Sequence, residues 1–146
     1  MVNEIQRSRC SGSLPIIDLN ALPPGTWARR WPDTGCGVAH DFIIGNGGWS
    51  FENAGPGSHV RAYPTAEIVN GQAIIEILDV PQSWPQSWQR LAAAQAKVGW
   101  PWRWTYNCQD YAHEVVTGVP QSFQRDAVHA TLLLGTLFWL YVRTSE

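Results

Sequence analysis

The sequence has no basic block: 10 lysines and arginines stand against 12 carboxylates, for a net charge of −2, and the signs are mixed along the chain. A protein without a positive patch has no electrostatic footprint for nucleic acid, so that partner class drops out. Cysteine is scarce and odd in number, with Cys10, Cys36 and Cys108 at irregular spacing, which does not make a disulfide framework. The first residues also lack the apolar core of a secretory signal. Free thiols in a reducing, cytoplasmic setting are therefore expected, although export by a non-signal route or origin in a longer protein would leave no mark here.

Hydrophobic runs of membrane-spanning length are missing as well. The most apolar stretch, Ala127 to Val142, makes about 24 Å of helix against a hydrocarbon core of about 30 Å, and His129, Thr131 and Gly135 interrupt it. A helix over about 124–143 is expected to lie buried against the body or in peripheral contact with a membrane rather than to span one. Its deletion is then expected to uncover apolar surface. No internal repeat or low-complexity tract is present.

What the chain does contain suits one domain over residues 1–146, with a loose polar terminus at 1–13. Nine tryptophans against 15% charged residues suggest a core rich in large rings, with some left to line a groove. Leu14 to Leu22 alternates like an edge strand before Pro23-Pro24-Gly25, and Trp27 to Gly35 reads as loop. Cys36 to Ile44 reads as a strand, Gly45-Asn46-Gly47-Gly48 as a hairpin turn, and Trp49 to Ala54 as the return strand. Ser58 to Tyr63 and Gln72 to Val80 are further strand candidates. The class is α+β: an antiparallel sheet of about four to five strands packed against helices.

Ser83 starts a helix whose expected inner face is Trp84, Trp88, Leu91, Ala92, Gln95 and Val98, ended by Gly99 and Pro101. Trp100, Trp102 and Trp104 then alternate in an extended approach to Asn107. They are expected either to cover the sheet or to form an apolar or sugar-stacking wall. Asn107 is a favoured N-cap, Cys108 the first helical residue, and Asp110 a carboxylate near the exposed N–H groups. Cys108, Tyr111, Ala112, Val115 and Val116 form one stripe, and Gly118 with Pro120 closes the helix. Thiols at helix N-termini are favoured as thiolates, which makes Cys108 a candidate nucleophile. On these residues alone a small buried hydrophobe at the end of a core stripe is the better fit, and the reading as a nucleophile depends on the rest of the chain.

A cysteine nucleophile needs a base, and the base needs an orienting group. His40 lies mid-strand, where an imidazole is costly without a partner, and Glu52 on the return strand can reach it. Asn53 takes that place if the register slips by one. His113, His59 and His129 fit solvated or internally satisfied positions better.

His40-Asp41-Phe42-Ile43-Ile44-Gly45-Asn46-Gly47, then Trp49-Ser50-Phe51-Glu52, and much later Asn107-Cys108-Gln109-Asp110-Tyr111 resemble the circularly permuted NlpC-type papain-like cysteine hydrolases. That branch includes the lecithin-retinol-acyltransferase-like proteins and the PPPDE peptidases. The resemblance spans residues 36–54 and 104–118. It implies a papain-like fold, Cys108 as nucleophile, His40 as general base and Glu52 as the orienting residue. Two departures stand out: the acyltransferase-like proteins commonly carry a second histidine where Glu52 stands, and the glycine turn here comes one residue early. The implied chemistry is acyl transfer on a peptide, a peptidoglycan-type amide or a lipid acyl group, without metal or other cofactor. Trp49, Trp102, Trp104 and Asn107 are the expected substrate-binding residues. Two rival readings remain: a noncatalytic tryptophan-rich binding module, and a zinc site built from Cys36, His40, Cys108 and His113, although the last pair is awkwardly spaced on a helix.

Overall fold

The structure, a computed structural model, describes residues 18–31, 39–69 and 74–144. Cys10 and Cys36, the polar terminus at 1–13 and the first part of the expected 14–22 strand lie outside them. The described chain is α+β, as its pattern indicated. Its elements are β1 (Trp27–Trp31), β2 (His40–Ile44), β3 (Trp49–Asn53), β4 (Val60–Pro64), α1 (Thr65–Val69), β5 (Ile74–Asp79), α2 (Trp84–Ala96), α3 (Cys108–Thr117) and α4 (Phe123–Thr144). The five strands form one antiparallel sheet in the order β4-β3-β2-β1-β5, so the chain crosses from one edge to the other after α1.

β2 is buried from Asp41 through Ile44, and the two faces of the sheet explain why it needs no polar alternation. On one side Ile43 and Val60 pack with Ala94, Tyr111, Ala112 and Val115. On the other, Ala28, Phe42 and Ile44 pack with Ile68 of α1 and with Leu19 and Leu22. The turn between β2 and β3 uses Gly47 and Gly48 at positive φ, where a side chain would be strained. Gly45 is needed for space: a Cβ there would stand 2.7 Å from the Trp49 carbonyl oxygen.

Several expectations change in the folded chain. Leu19–Ala21 is a 3-10 turn rather than part of a strand, because Asp18 accepts a bond from the Asn20 N–H and curls the backbone. Trp27–Trp31, read as loop, is an inner strand between β2 and β5. Its Arg29 belongs inside because Asp41, directly opposite, takes the guanidinium in two bonds of 2.6 and 2.9 Å. α2 turns Ser87, Arg90, Leu91 and Ala94 inward and leaves Trp84 and Trp88 62% and 57% exposed. Arg90 sets that rotation: its guanidinium is drawn in to the Gly25 carbonyl at 3.2 Å and to Asp79 at 2.5 Å.

The 99–106 segment does not cover the sheet. It hydrogen-bonds along β4, with Val60 N–H on the Trp100 carbonyl, Gly99 N–H on the Val60 carbonyl and Trp102 N–H on the Ser58 carbonyl. This caps the open edge of β4 with backbone partners and leaves Trp100 and Trp104 turned outward.

α4 overturns the expectation of a buried C-terminal helix. From His129 to Arg143 every side chain is exposed, including Leu132, Leu133, Leu134, Leu137, Phe138 and Trp139. Among the described residues no helix is long and apolar enough to cross a membrane. The core therefore closes without α4 beyond its first turns, which reverses the expected effect of deletion. A chain ending at Ala130 is expected to melt within about 2 °C of the full chain, since exposed residues away from special features contribute little. It is also expected to bind less of an apolar dye. Loss of cooperative melting on truncation would show that α4 holds the core.

Candidate active site

The site begins with the cap of α3. Asn107 Oδ1 accepts the N–H groups of Gln109 and Asp110 at 2.9 and 3.2 Å, and Asp110 Oδ2 accepts the Asn107 N–H at 3.2 Å. This reciprocal box pins the first turn, typically by about 1 kcal/mol per cap, and leaves Cys108 as the first helical residue. Asn107 Nδ2 donates to Ser122 Oγ at 2.9 Å. The expected substrate-binding role of Asn107 is therefore replaced by a positioning one, because both ends of its buried amide are engaged within the fold. Cys108 is a buried, free thiol. Its own N–H is not taken by the Asn107 side chain, which serves the next two residues.

His40 opens β2, half-buried, with its Nε2 2.7 Å from Glu52 Oε2. Because Phe42 stands opposite Glu52, His40 and Glu52 are diagonal neighbours on one face, a spacing that long side chains bridge. The Cys108 thiol lies near enough to the imidazole to act on its titration, and Nε2 is the nitrogen committed to Glu52. Burial by itself would lower the His40 pKa, but its interactions with Cys108 and then Glu52 outweigh that and raise the value from 6.5 to about 9. Burial likewise opposes ionisation of Glu52. Its bonds to His40 and then to Arg61 win, and its carboxyl is held below the usual range.

Arg61 had no signal in the sequence. It stands directly opposite Glu52 on β4 and gives Oε1 two bonds, from Nε at 2.8 Å and Nη2 at 2.6 Å, while its guanidinium lies 4.0 Å from the Tyr63 ring centre. Each carboxylate oxygen of Glu52 thus has its own cationic partner. Arg29 was hidden in the stretch read as loop. It lies close enough to the sulfur to respond to it: burial lowers its pKa, but Asp41, Glu76 and Cys108 outweigh that and raise it.

The choice between Glu52 and Asn53 is resolved by strand alternation, which points them to opposite faces. Asn53 is fully buried and donates from Nδ2 to the Tyr106 carbonyl at 3.1 Å, just ahead of the Asn107 cap. Consecutive residues of β3 therefore hold the two halves of the site, one through the imidazole and the other through the segment that carries the sulfur.

Of the expected substrate-binding tryptophans, Trp102 and Trp104 lie on the segment that pairs with β4 and leads in sequence to Cys108, their rings 6.3 Å apart. Trp49 does not belong with them. It opens β3 beside the hairpin, opposite Gly45 and so five residues along from His40, or roughly 17 Å, and borders a groove with Phe51, Trp88 and Leu91. The hairpin places it at the far end of the strand pair. His113 is occupied by the Val119 carbonyl at 2.6 Å and by Thr117 at 3.0 Å, with Trp27 edge-on to its ring. Among the described residues no group of three or more His, Cys, Asp or Glu side chains could hold a metal ion, and Cys36 lies outside them. The sequence matches no protein-family model and no curated protein.

The two β3 substitutions are expected to separate. Glu52→Gln removes charge from His40 and should lower its titration midpoint, followed by NMR, from about 9 toward the ordinary histidine value of 6.5, with the stability linked to that shift lost below about pH 6.5. Asn53→Ala should leave that midpoint in place and cost about 1–3 kcal/mol in denaturant unfolding, because the Tyr106 carbonyl loses its donor. The wild-type contribution of His40 also has a definite pH window. Its pKa is raised on folding, so its stabilisation is complete below about 6.5 and disappears as pH rises through about 9.

Proposed function

We propose that this chain is a cysteine-dependent acyl-transfer enzyme of papain-like build, similar to the permuted NlpC type, with Cys108 as nucleophile, His40 as acid and base, and Glu52 as the orienting carboxylate. The observation that carries this reading is one imidazole bonded to a buried carboxylate that is itself clamped by arginine, with the thiol of a capped helix-start cysteine near enough to act on the same ring. A structural cysteine at the end of a core stripe has no need of that arrangement. A nucleophile does, because its base must be held in one tautomer and one orientation.

In the proposed cycle the Cys108 thiolate attacks the carbonyl carbon of an amide or ester. The oxyanion that develops lies at the start of α3, where the Cys108 N–H and the positive end of the helix favour it. His40, protonated below about pH 9, gives its proton to the departing amine or alcohol as the bond to carbon breaks. The acyl group remains as a thioester on Cys108. Neutral His40 then takes a proton from water or another acceptor, whose oxygen or nitrogen attacks the thioester and frees the thiolate, with the imidazolium restored. Arg61 and His40 together keep Glu52 ionised throughout, so the carboxylate steadies the imidazolium without taking its proton.

Peptides, peptidoglycan-type amides and lipid acyl groups are the proposed substrate classes, with Trp102 and Trp104 as the proposed apolar contacts. The rival reading, a noncatalytic binding module, draws on the half-exposed indoles of Trp49, Trp84, Trp88, Trp100 and Trp104.

A panel of amide, thioester and lipid-ester substrates, read by turnover and by intact mass for an acyl adduct, separates the two. The enzyme reading expects an adduct on Cys108, none in Cys108→Ala, and turnover that declines as pH rises through about 9, where His40 loses the proton the leaving group needs. Glu52→Gln is expected to lower turnover about ten- to several hundredfold. Tight ligand binding that is unchanged in Cys108→Ala, with no adduct from any substrate, would establish the module instead.

A further inference from the structure

We propose that Gln124, in the first turn of α4, is a positioning residue that sets the separation between the Cys108 sulfur and the His40 ring; this rests on the acyl-transfer reading of that pair. Cys108 and His40 come from elements far apart in sequence, and among the described residues no backbone ladder joins the start of α3 to the start of β2. Gln124 touches the flank of each. Its backbone N–H donates to Gln109 Oε1 at 3.1 Å, on the residue after Cys108, and its side-chain Nε2 donates to the Ala39 carbonyl at 3.2 Å, on the residue before His40.

The Gln109 end of this brace is rigid. Gln109 is buried, and its Oε1 also accepts from Ser122 Oγ at 3.1 Å, while Ser122 in turn receives the Asn107 amide at 2.9 Å. The cap that presents the sulfur and the residue that reaches the histidine strand are thereby one hydrogen-bonded unit. At the other end Ala39 is buried, so its carbonyl depends on a protein donor. A hydrogen bond tolerates only a few tenths of an ångström before it weakens, so the span from Ala39 to Gln109 is tightly limited. The sulfur–imidazole contact tightens or loosens with it. α4 is exposed from His129 onward, yet through its first turn it belongs to the site.

The test uses Gln124→Met in the full chain, which keeps side-chain length and the backbone bond to Gln109 and removes only the bond to Ala39. The His40 midpoint is read by NMR on labelled protein, with no substrate present. If Gln124 sets the separation, the midpoint falls from about 9 by roughly one pH unit or more as the Cys108 contribution weakens, while the variant still unfolds cooperatively at a lowered melting temperature, because the Ala39 carbonyl loses its donor. In a Cys108→Ala background the same substitution is expected to leave the midpoint where that background puts it, because there is no sulfur to lose. An unchanged midpoint in Gln124→Met, or an equal fall in the Cys108→Ala background, overturns the proposal. Should the Met variant fail to fold, Gln124→Asn, which withdraws the amide by one methylene, must give a smaller fall in the same direction, and no fall overturns it. Absence of turnover on every acyl substrate would overturn the enzymatic reading and leave the positioning result intact.

Discussion

The contact on which this structure depends is the seating of α3 on the sheet, where Tyr111, Ala112 and Val115 close over Ile43 and Val60. Full burial of a large apolar side chain contributes about 1.5–3 kcal/mol, so this cluster supplies a large part of the drive to bring residues from positions 43 to 115 together. It also decides the geometry of the proposed site. The stripe that seats the helix begins at Cys108, so the same packing that forms the core brings the sulfur to the end of β2 where His40 waits. A repacked stripe would move both together.

Around that contact the fold places charges where burial would penalise them alone. Asp41 receives Arg29 in two bonds and the Trp27 indole N–H at 3.0 Å. Asp110 receives Arg125 at 2.6 Å, Arg90 is held by Asp79, and Glu52 lies between His40 and Arg61. Each of these pairs joins different strands or helices. Such pairs add little net stability after desolvation, yet removing one partner leaves an uncompensated charge. Their effect here is on register: Arg29 opposite Asp41 and Arg61 opposite Glu52 penalise a one-residue slip that would carry either charge to the wrong face. Fixing the β3 register fixes the site, since it directs Glu52 to the imidazole and Asn53 to the segment before the sulfur.

The helical parts of this arrangement were legible in the sequence. Asn107, Asp110 and Gly118 are local signals, and the cap, the start at Cys108 and the left-handed stop at Gly118 follow from short-range hydrogen bonding that few tertiary contacts can override. The hairpin from His40 to Asn53 was legible for the same reason, because its glycines demand a turn and its flanks alternate. The sequence was misleading where side-chain chemistry and burial disagree. β1 reads as loop after the Pro23-Pro24-Gly25 break although burial makes its arginines part of a strand, and helical spacing assigns Trp84 and Trp88 to the apolar face of α2 although Arg90 turns another face inward.

What the sequence determined by itself is the set of local elements that bear chemistry: a cysteine at the mouth of a capped helix, a histidine strand, a glycine turn and a carboxylate on the return strand. Each is written within a dozen or so residues, the range over which turns, caps and periodicity act. Only the tertiary structure decided which of these meet. Arg61 reached Glu52, Arg29 reached Asp41, Gln124 reached Ala39, and Trp49 was left at the far end of the hairpin, because those pairings depend on strand order and helix placement. Strand order and helix placement are set by burying the whole apolar surface at once. No single window of sequence contains that sum.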